Sequence, residues 1–145
     1  MVVVVDEGSS HPVTVDKVWK LIQAHGTDGE RIHPGSKNMK MEPINESQTF
    51  LSWDVDMGGG KWTHLRFKAT LIPPLAQAIE VLEGPLAGSK FITTYVPKGN
   101  ATVLNCVGDF RSPVMKKDEE VRKAAQDFLD RGFNEDGAYL RKMKL

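Results

Sequence analysis

The chain has 145 residues, 40% of them hydrophobic and 26% charged, which suits one globular domain over 1–145 with a sizeable core. Nineteen Lys and Arg balance nineteen Asp and Glu, so neither nucleic acid nor an anionic membrane is expected as a partner, since both attract surplus positive charge. No apolar run approaches the roughly 20 residues of a membrane span, which excludes integral membrane association by a helix.

Val2 to Val5 is a β-branched run and predicts a first strand that fades through Gly8, Ser9 and Ser10 and stops at His11-Pro12. The same opening turns acidic at Asp6 and Glu7 and lacks the basic start and cleavage site of a signal peptide. A helix follows, with Thr14 as N-cap and Asp16 in its first turn, where a carboxylate meets the positive end of the dipole. Val15, Val18, Trp19 and Ile22 form its apolar stripe. Gly26 ends this helix, and a short second one spans Asp28 to Ile32 before His33-Pro34-Gly35 breaks the chain.

From Lys37 to Arg111 the period changes to two. Met39 and Met41, then Leu51, Trp53, Val55 and Met57, then Leu65, Phe67, Ala69 and Leu71 alternate with polar residues, the pattern of a half-buried antiparallel sheet. If Gly58, Gly59 and Gly60 form a three-residue hairpin loop, Met57 faces Lys61, Val55 faces Thr63, Trp53 faces Leu65 and Leu51 faces Phe67. The outer face then pairs Asp54 with His64 and sets Arg66 diagonally across, a ladder of opposite charges. A two-residue turn would scramble the two faces. Ala78 to Leu82 makes a strand ending at Glu83-Gly84-Pro85. With Lys98-Gly99 as a two-residue turn, Thr93 faces Leu104 and Phe91 faces Cys106. That inner face continues through Gly108 and Phe110, leaving Asn105 and Asp109 outside; the opposite face carries Ile92, Thr94, Val96, Val103 and Val107.

After Ser112-Pro113 the pattern is helical from about Met115 to Met143. Its apolar positions are Val121, Ala124, Ala125, Phe128, Leu129, Phe133, Tyr139, Leu140 and Met143, and its length is roughly 40 Å at 1.5 Å per residue. Gly132 and Gly137 weaken it by about 1 kcal/mol each against Ala, and predict a kink or close approach to another surface.

The order is strand, two short helices, six antiparallel strands and one long helix, an α+β arrangement. It resembles the helix-grip fold (β-α-α-β6-α, a curved sheet wrapped around the C-terminal helix) of the START/SRPBCC superfamily, which includes birch-pollen-allergen-like and polyketide cyclase-like proteins. The residues that carry the likeness are His11-Pro12-Val13-Thr14-Val15-Asp16-Lys17-Val18-Trp19, similar to the opening helix of those proteins with His11 in place of the usual Ala. Glu83-Gly84-Pro85-Leu86 is similar to the bend after their fifth strand, and Gly108-Asp109-Phe110 to the end of their seventh. The resemblance implies a cavity between sheet and helix that in relatives holds lipids, sterols, flavonoids, hormones or polyketide intermediates. Fold alone does not choose among them.

The expected cavity wall is Leu51, Trp53, Val55, Leu65, Phe67, Ile79, Val81, Phe91, Thr93, Tyr95, Leu104, Cys106 and Phe110 from the sheet, with Ala125, Phe128 and Leu129 from the helix. These residues equally suit a filled core, since burying a large apolar side chain contributes about 1.5–3 kcal/mol. Thr63, Thr93, Tyr95 and Cys106 are the polar groups on that face. Cys106 is the single cysteine, which excludes an internal disulfide framework and fits a reducing compartment, the cytoplasm. It lacks an activating neighbour in sequence and reads as a small hydrophobe. His11, His25, His33 and His64 match no zinc spacing, so no metal and no cofactor are expected. His33 stands in a loop that gates the cavity in relatives, where it reads as an exposed side chain or an acid–base group. Gly58-Gly59-Gly60-Lys61 lacks phosphate-loop spacing, and no nucleophile elbow or triad order occurs. No catalytic residue is assigned. The leading expectation is a monomer or weak homodimer that binds or carries a small hydrophobic molecule. The alternatives are a polyketide cyclase or dehydratase-like enzyme, and a chaperone-activator-like interaction module with a collapsed cavity.

Overall fold

Strands form wherever the period of two predicts them, and they join one sheet. The computed structural model describes residues 1–56 and 58–142. Its elements are β1 (Val2–His11), α1 (Val15–Ile32), β2 (Ser36–Pro43), β3 (Gln48–Asp56), β4 (Trp62–Ile72), β5 (Ala76–Glu83), β6 (Lys90–Lys98), β7 (Ala101–Phe110) and α2 (Asp118–Lys142). The seven strands make one curved antiparallel sheet in the order β1-β7-β6-β5-β4-β3-β2. Chain neighbours pair by hairpins, and only β1 returns from the start of the chain to pair with β7. α1 therefore carries the chain from one edge of the sheet to the other.

β1 is longer than its valine run predicts. Val2 and Val4 are buried while Val3 and Val5 face outward. The pairing with β7 then slips between Asp6 and Ser9, with Gly8 at φ 79° donating its N–H to Asn105 Oδ1 at 2.9 Å, before it resumes as far as His11 opposite Thr102. A bulge at a left-handed glycine bends the strand without ending it. In α1, Thr14 occupies the N-cap with extended backbone, but its hydroxyl caps nothing. Two helical segments meet here as expected, but the break between them lies at Asp28 (φ −129°, ψ 19°) and not at Gly26, so α1 is one bent element. Tyr139 Oη of α2 donates to the Asp28 carboxylate at that break.

The β3–β4 register is the one expected: Leu51 with Phe67, Trp53 with Leu65, Val55 with Thr63 and Asp54 with His64. Gly58, Gly59 and Gly60 all take positive φ (99°, 62° and 76°), which side-chain-bearing residues adopt at a cost. The expected pairing of Met57 with Lys61 lies outside the described residues. On the outer face His64 Nδ1 sits 2.8 Å from Asp54 Oδ1 and its Nε2 3.2 Å from Glu83 Oε2. Arg66 does not complete that ladder; its guanidinium lies over the Phe50 ring at 4.5 Å.

The β6–β7 register needs correction by two residues. Lys98 pairs with Ala101, so Gly99-Asn100 is the turn and Thr93 faces Cys106, Phe91 faces Gly108 and Tyr95 faces Leu104. The left-handed backbone of Gly99 (φ 59°) at the first turn position explains the choice. A shift of two keeps every side chain on its expected face. α2 starts at Asp118, after a turn in which Ser112 Oγ accepts N–H bonds from Val114 and Met115. It is continuous through Gly132 and Gly137. Gly137 is buried against the His11 ring, where a Cβ would make ordinary contact at 3.4 Å, and the helix does not kink there. Met143 lies outside the described residues.

The oily faces of sheet and helix look at each other. Trp53 and Phe67 are 8% and 7% exposed, and they share one core with Phe91 and Phe110 of the sheet and Val121 and Ala125 of α2. Among the described residues no helix is long and apolar enough to cross a membrane.

Candidate functional site

Between the sheet and α2 the packing leaves a cavity of about 730 Å³, within the roughly 300–1,000 Å³ usual for small-molecule sites. Inward residues of β3 to β7 form its wall because alternate side chains of a strand share one face. Every residue expected on the wall lines it, with one exception. Ala125 is fully buried in the core but does not reach the cavity. It lies on the turn between Arg122 and Gln126, which reach Val3 O and Asp6 of β1. Ala124, four residues before Phe128 on the same helical face, takes its place on the wall. Thr63 is absent from the lining.

The apolar part of the wall is an aromatic cluster. Phe67 meets Trp53, Phe91 and Phe128 edge-on at centroid distances of 4.7, 6.5 and 5.7 Å, and Phe91 stacks on Phe110 at 5.6 Å. Such pairs contribute about 0.5–1.5 kcal/mol beyond area burial, so this part of the wall is held in shape. Tyr95 is buried against Trp19 at 5.6 Å, and burial pushes its phenol pKa up. Trp19 in turn donates its indole N–H to Pro74 O, tying α1 to the β4–β5 loop. Burial likewise pushes the Cys106 thiol up, which keeps it protonated and poorly nucleophilic.

The other part of the wall is polar, and periodicity does not reveal it. His11, His25 and His33 line the cavity with Glu135 and Asp136, and Asp127 and Arg131 join them from α2. His11 is 2% exposed and stacks on Phe133 at 4.3 Å; burial holds its pKa below the usual imidazole value. His25 Nδ1 is 2.9 Å from Leu21 O and its Nε2 is 3.0 Å from His33 Nε2. His33 Nδ1 lies 3.4 Å from Glu135 Oε1, and Arg131 Nε donates to the same oxygen at 3.1 Å. Burial opposes charge on His25, but the Asp136 carboxylate and the Leu21 and Ile22 carbonyls outweigh it and raise its pKa. For His33 burial prevails over Asp136, and the facing His25 adds repulsion, so its pKa is lowered. His25 of α1 and His33 just beyond its end meet Glu135 and Asp136 of α2 about a hundred positions away, and no local motif spans that distance. The sequence signals are the loop position of His33 and, for the other three, a titratable residue at or next to the apolar stripe of an amphipathic helix.

No family model matches the chain, and no curated protein matches it by sequence. Solved structures match its shape. The Zhui aromatase/cyclase from Streptomyces sp. R1128 superposes with a TM-score of 0.72 at 14% identity, over 95% of this chain and 90% of that one. Ara h 8.0201 gives 0.71 at 17% identity, over 97% and 99%. Norcoclaurine synthase from Thalictrum flavum, in complex with dopamine and hydroxybenzaldehyde, gives 0.68 at 13% identity, over 99% and 88%. The strand order, the long terminal helix and these likenesses agree: the chain has the helix-grip fold of START/SRPBCC proteins.

Proposed function

We propose that this chain binds one small, largely apolar molecule in the cavity between sheet and α2. The apolar part lies among Trp53, Phe67, Phe91 and Phe128, and any polar end points to His25 and His33. The observation that carries this reading is the about 730 Å³ interior walled by aromatic side chains and polar on one side. A filled core would leave no such space, and an interaction module is expected to have collapsed it. Norcoclaurine synthase, of the same fold, is solved with two small aromatic molecules, which supports a ligand of that size and character.

The test is titration with a fluorescent apolar probe such as 1-aminoanthracene, with native mass spectrometry on the freshly purified protein. One probe per chain is expected, with energy transfer from Trp53 that Trp53→Phe diminishes without changing the stoichiometry. Protein that is repeatedly empty and takes up no probe saturably overturns the proposal.

A second reading, an enzyme of the cyclase or dehydratase kind, is favoured by one observation: the imidazoles of His25 and His33 stand beside the carboxylates of Glu135 and Asp136 on the polar side of the wall, a means of moving a proton to or from a bound carbon skeleton. A carrier releases its co-purified molecule unchanged after incubation, whereas an enzyme returns an isomer with a different retention time and fragmentation pattern, or a product lighter by one water.

A further inference from the structure

The polar side of the cavity holds three electron-pair donors that lie within 4.8 Å of one another. A carbonyl oxygen only accepts, so the 2.9 Å contact to Leu21 O places a proton on His25 Nδ1 and leaves Nε2 of the neutral ring bare. The Glu135 carboxylate does the same for His33 through Nδ1 at 3.4 Å. The two bare Nε2 atoms face each other at 3.0 Å, and Asp136 Oδ1 lies 3.6 and 3.5 Å from them. That oxygen is buried and has no hydrogen-bond partner among the described residues. Three acceptors this close need a donated proton or a cation among them. A proton shared by the imidazoles would satisfy the nitrogens alone and leave Asp136 Oδ1 orphaned, at the cost of an unpaired buried acceptor.

We propose that His25 Nε2, His33 Nε2 and Asp136 Oδ1 bind one divalent transition-metal ion at the polar side of the cavity. Zinc with bonds of about 2.0–2.1 Å in tetrahedral geometry sets its donors about 3.3 Å apart, and the three observed separations lie on either side of that value. Two imidazoles and a carboxylate form a donor set that zinc, cobalt or iron(II) accepts. Leu21 O and Glu135 fix both rings through Nδ1, the support that metal-bound histidines commonly have, and Arg131 holds Glu135 in turn. All three donors line the cavity, so positions they leave unfilled open onto it, to water or to an oxygen of a bound molecule. His64 offers no comparable site: its two nitrogens face different carboxylates, Asp54 and Glu83, and cannot both aim at one ion. The metal site stands whether or not the cavity takes an organic molecule.

The test uses untagged full-length protein stripped with a chelator. Calorimetric titration with zinc is expected to give one ion per chain, and cobalt(II) visible ligand-field bands in the same ratio. His25→Gln and His33→Gln each weaken binding by at least about 100-fold, and Glu135→Gln, which removes only the outer support, by about 10–100-fold. His64→Gln changes nothing. In the wild-type protein zinc shifts the Nε2 ¹⁵N resonances of His25 and His33 and leaves those of His11 and His64 in place, a readout that needs no variant to fold. Absence of stoichiometric uptake up to millimolar zinc overturns the proposal. So does uptake that leaves the His25 and His33 resonances unmoved.

Discussion

Cys106 shows what one inward side chain reveals about the interior. It stands on β7 opposite Thr93, buried on the cavity wall, and burial raises its thiol pKa. Only the thiolate attacks, and a raised pKa lowers its fraction at any given pH. The thiol of the folded protein is therefore expected to react with an aromatic disulfide reagent at pH 8 far more slowly than in denaturant. Its rate should still climb with pH where that of an ordinary thiol has levelled off, and a cavity ligand should slow it further. A stopped-flow pH series checks all three; a folded-state rate equal to the denatured one would place Cys106 in solvent. The inward position of Cys106 was legible because alternation along β7 needs only local sequence. Ala125 and Ala124 were harder. Neighbours on a helix sit 100° apart, and two alanines at the margin of an apolar stripe look alike until β1 is seen to claim one side. Of the polar wall only His33 was singled out, by its loop, because His25, Glu135 and Asp136 acquire meaning only when α1 and α2 meet.

Turns decided which elements could be placed from sequence. For β3–β4 the alternation of faces chose the three-glycine loop over a two-residue turn, whereas for β6–β7 the turn expected at Lys98-Gly99 lies one residue later, where Gly99 with positive φ takes the first turn position. Glycine has opposite uses in two elements of the core. In β7 a Cβ on Gly108 would lie 2.6 Å from Phe91 Cβ and from Phe110 Cε2, and 2.9 Å from Lys90 O. Gly108→Ala is therefore expected to destabilise by about 1–3 kcal/mol, the cost of overpacking a core. In α2 a Cβ on Gly132 meets nothing within 4 Å, and Gly132→Ala should stabilise by about 1 kcal/mol through helix propensity. Denaturant melts of the two variants check the pair of opposite signs. Equal effects would mean that the packing around β7 yields or that α2 depends on Gly132 for more than its backbone.

Across the whole molecule, the sheet and α2 enclose space that neither fills. The architecture was legible because both apolar faces were periodic and long; the volume was not, because it depends on how far the sheet curves. A ligand that binds the folded chain alone stabilises it by about 2.7 kcal/mol at one hundred times its Kd, which for a chain of this size raises Tm by about 5–10 °C. Differential scanning calorimetry with increasing 1-aminoanthracene should show this rise continuing past saturation of the site, with no plateau. A Tm independent of concentration would mean that the probe does not bind the folded chain in preference to the unfolded one. The bend in α1 carries a separate consequence. In a straight helix residues eight apart are about 12 Å apart along the axis, too far for imidazole tips to touch. His25 and His33 meet because the segment after Asp28 is turned, and Tyr139 of α2 grips the pivot. The angle of that short arm therefore sets how closely the two rings stand.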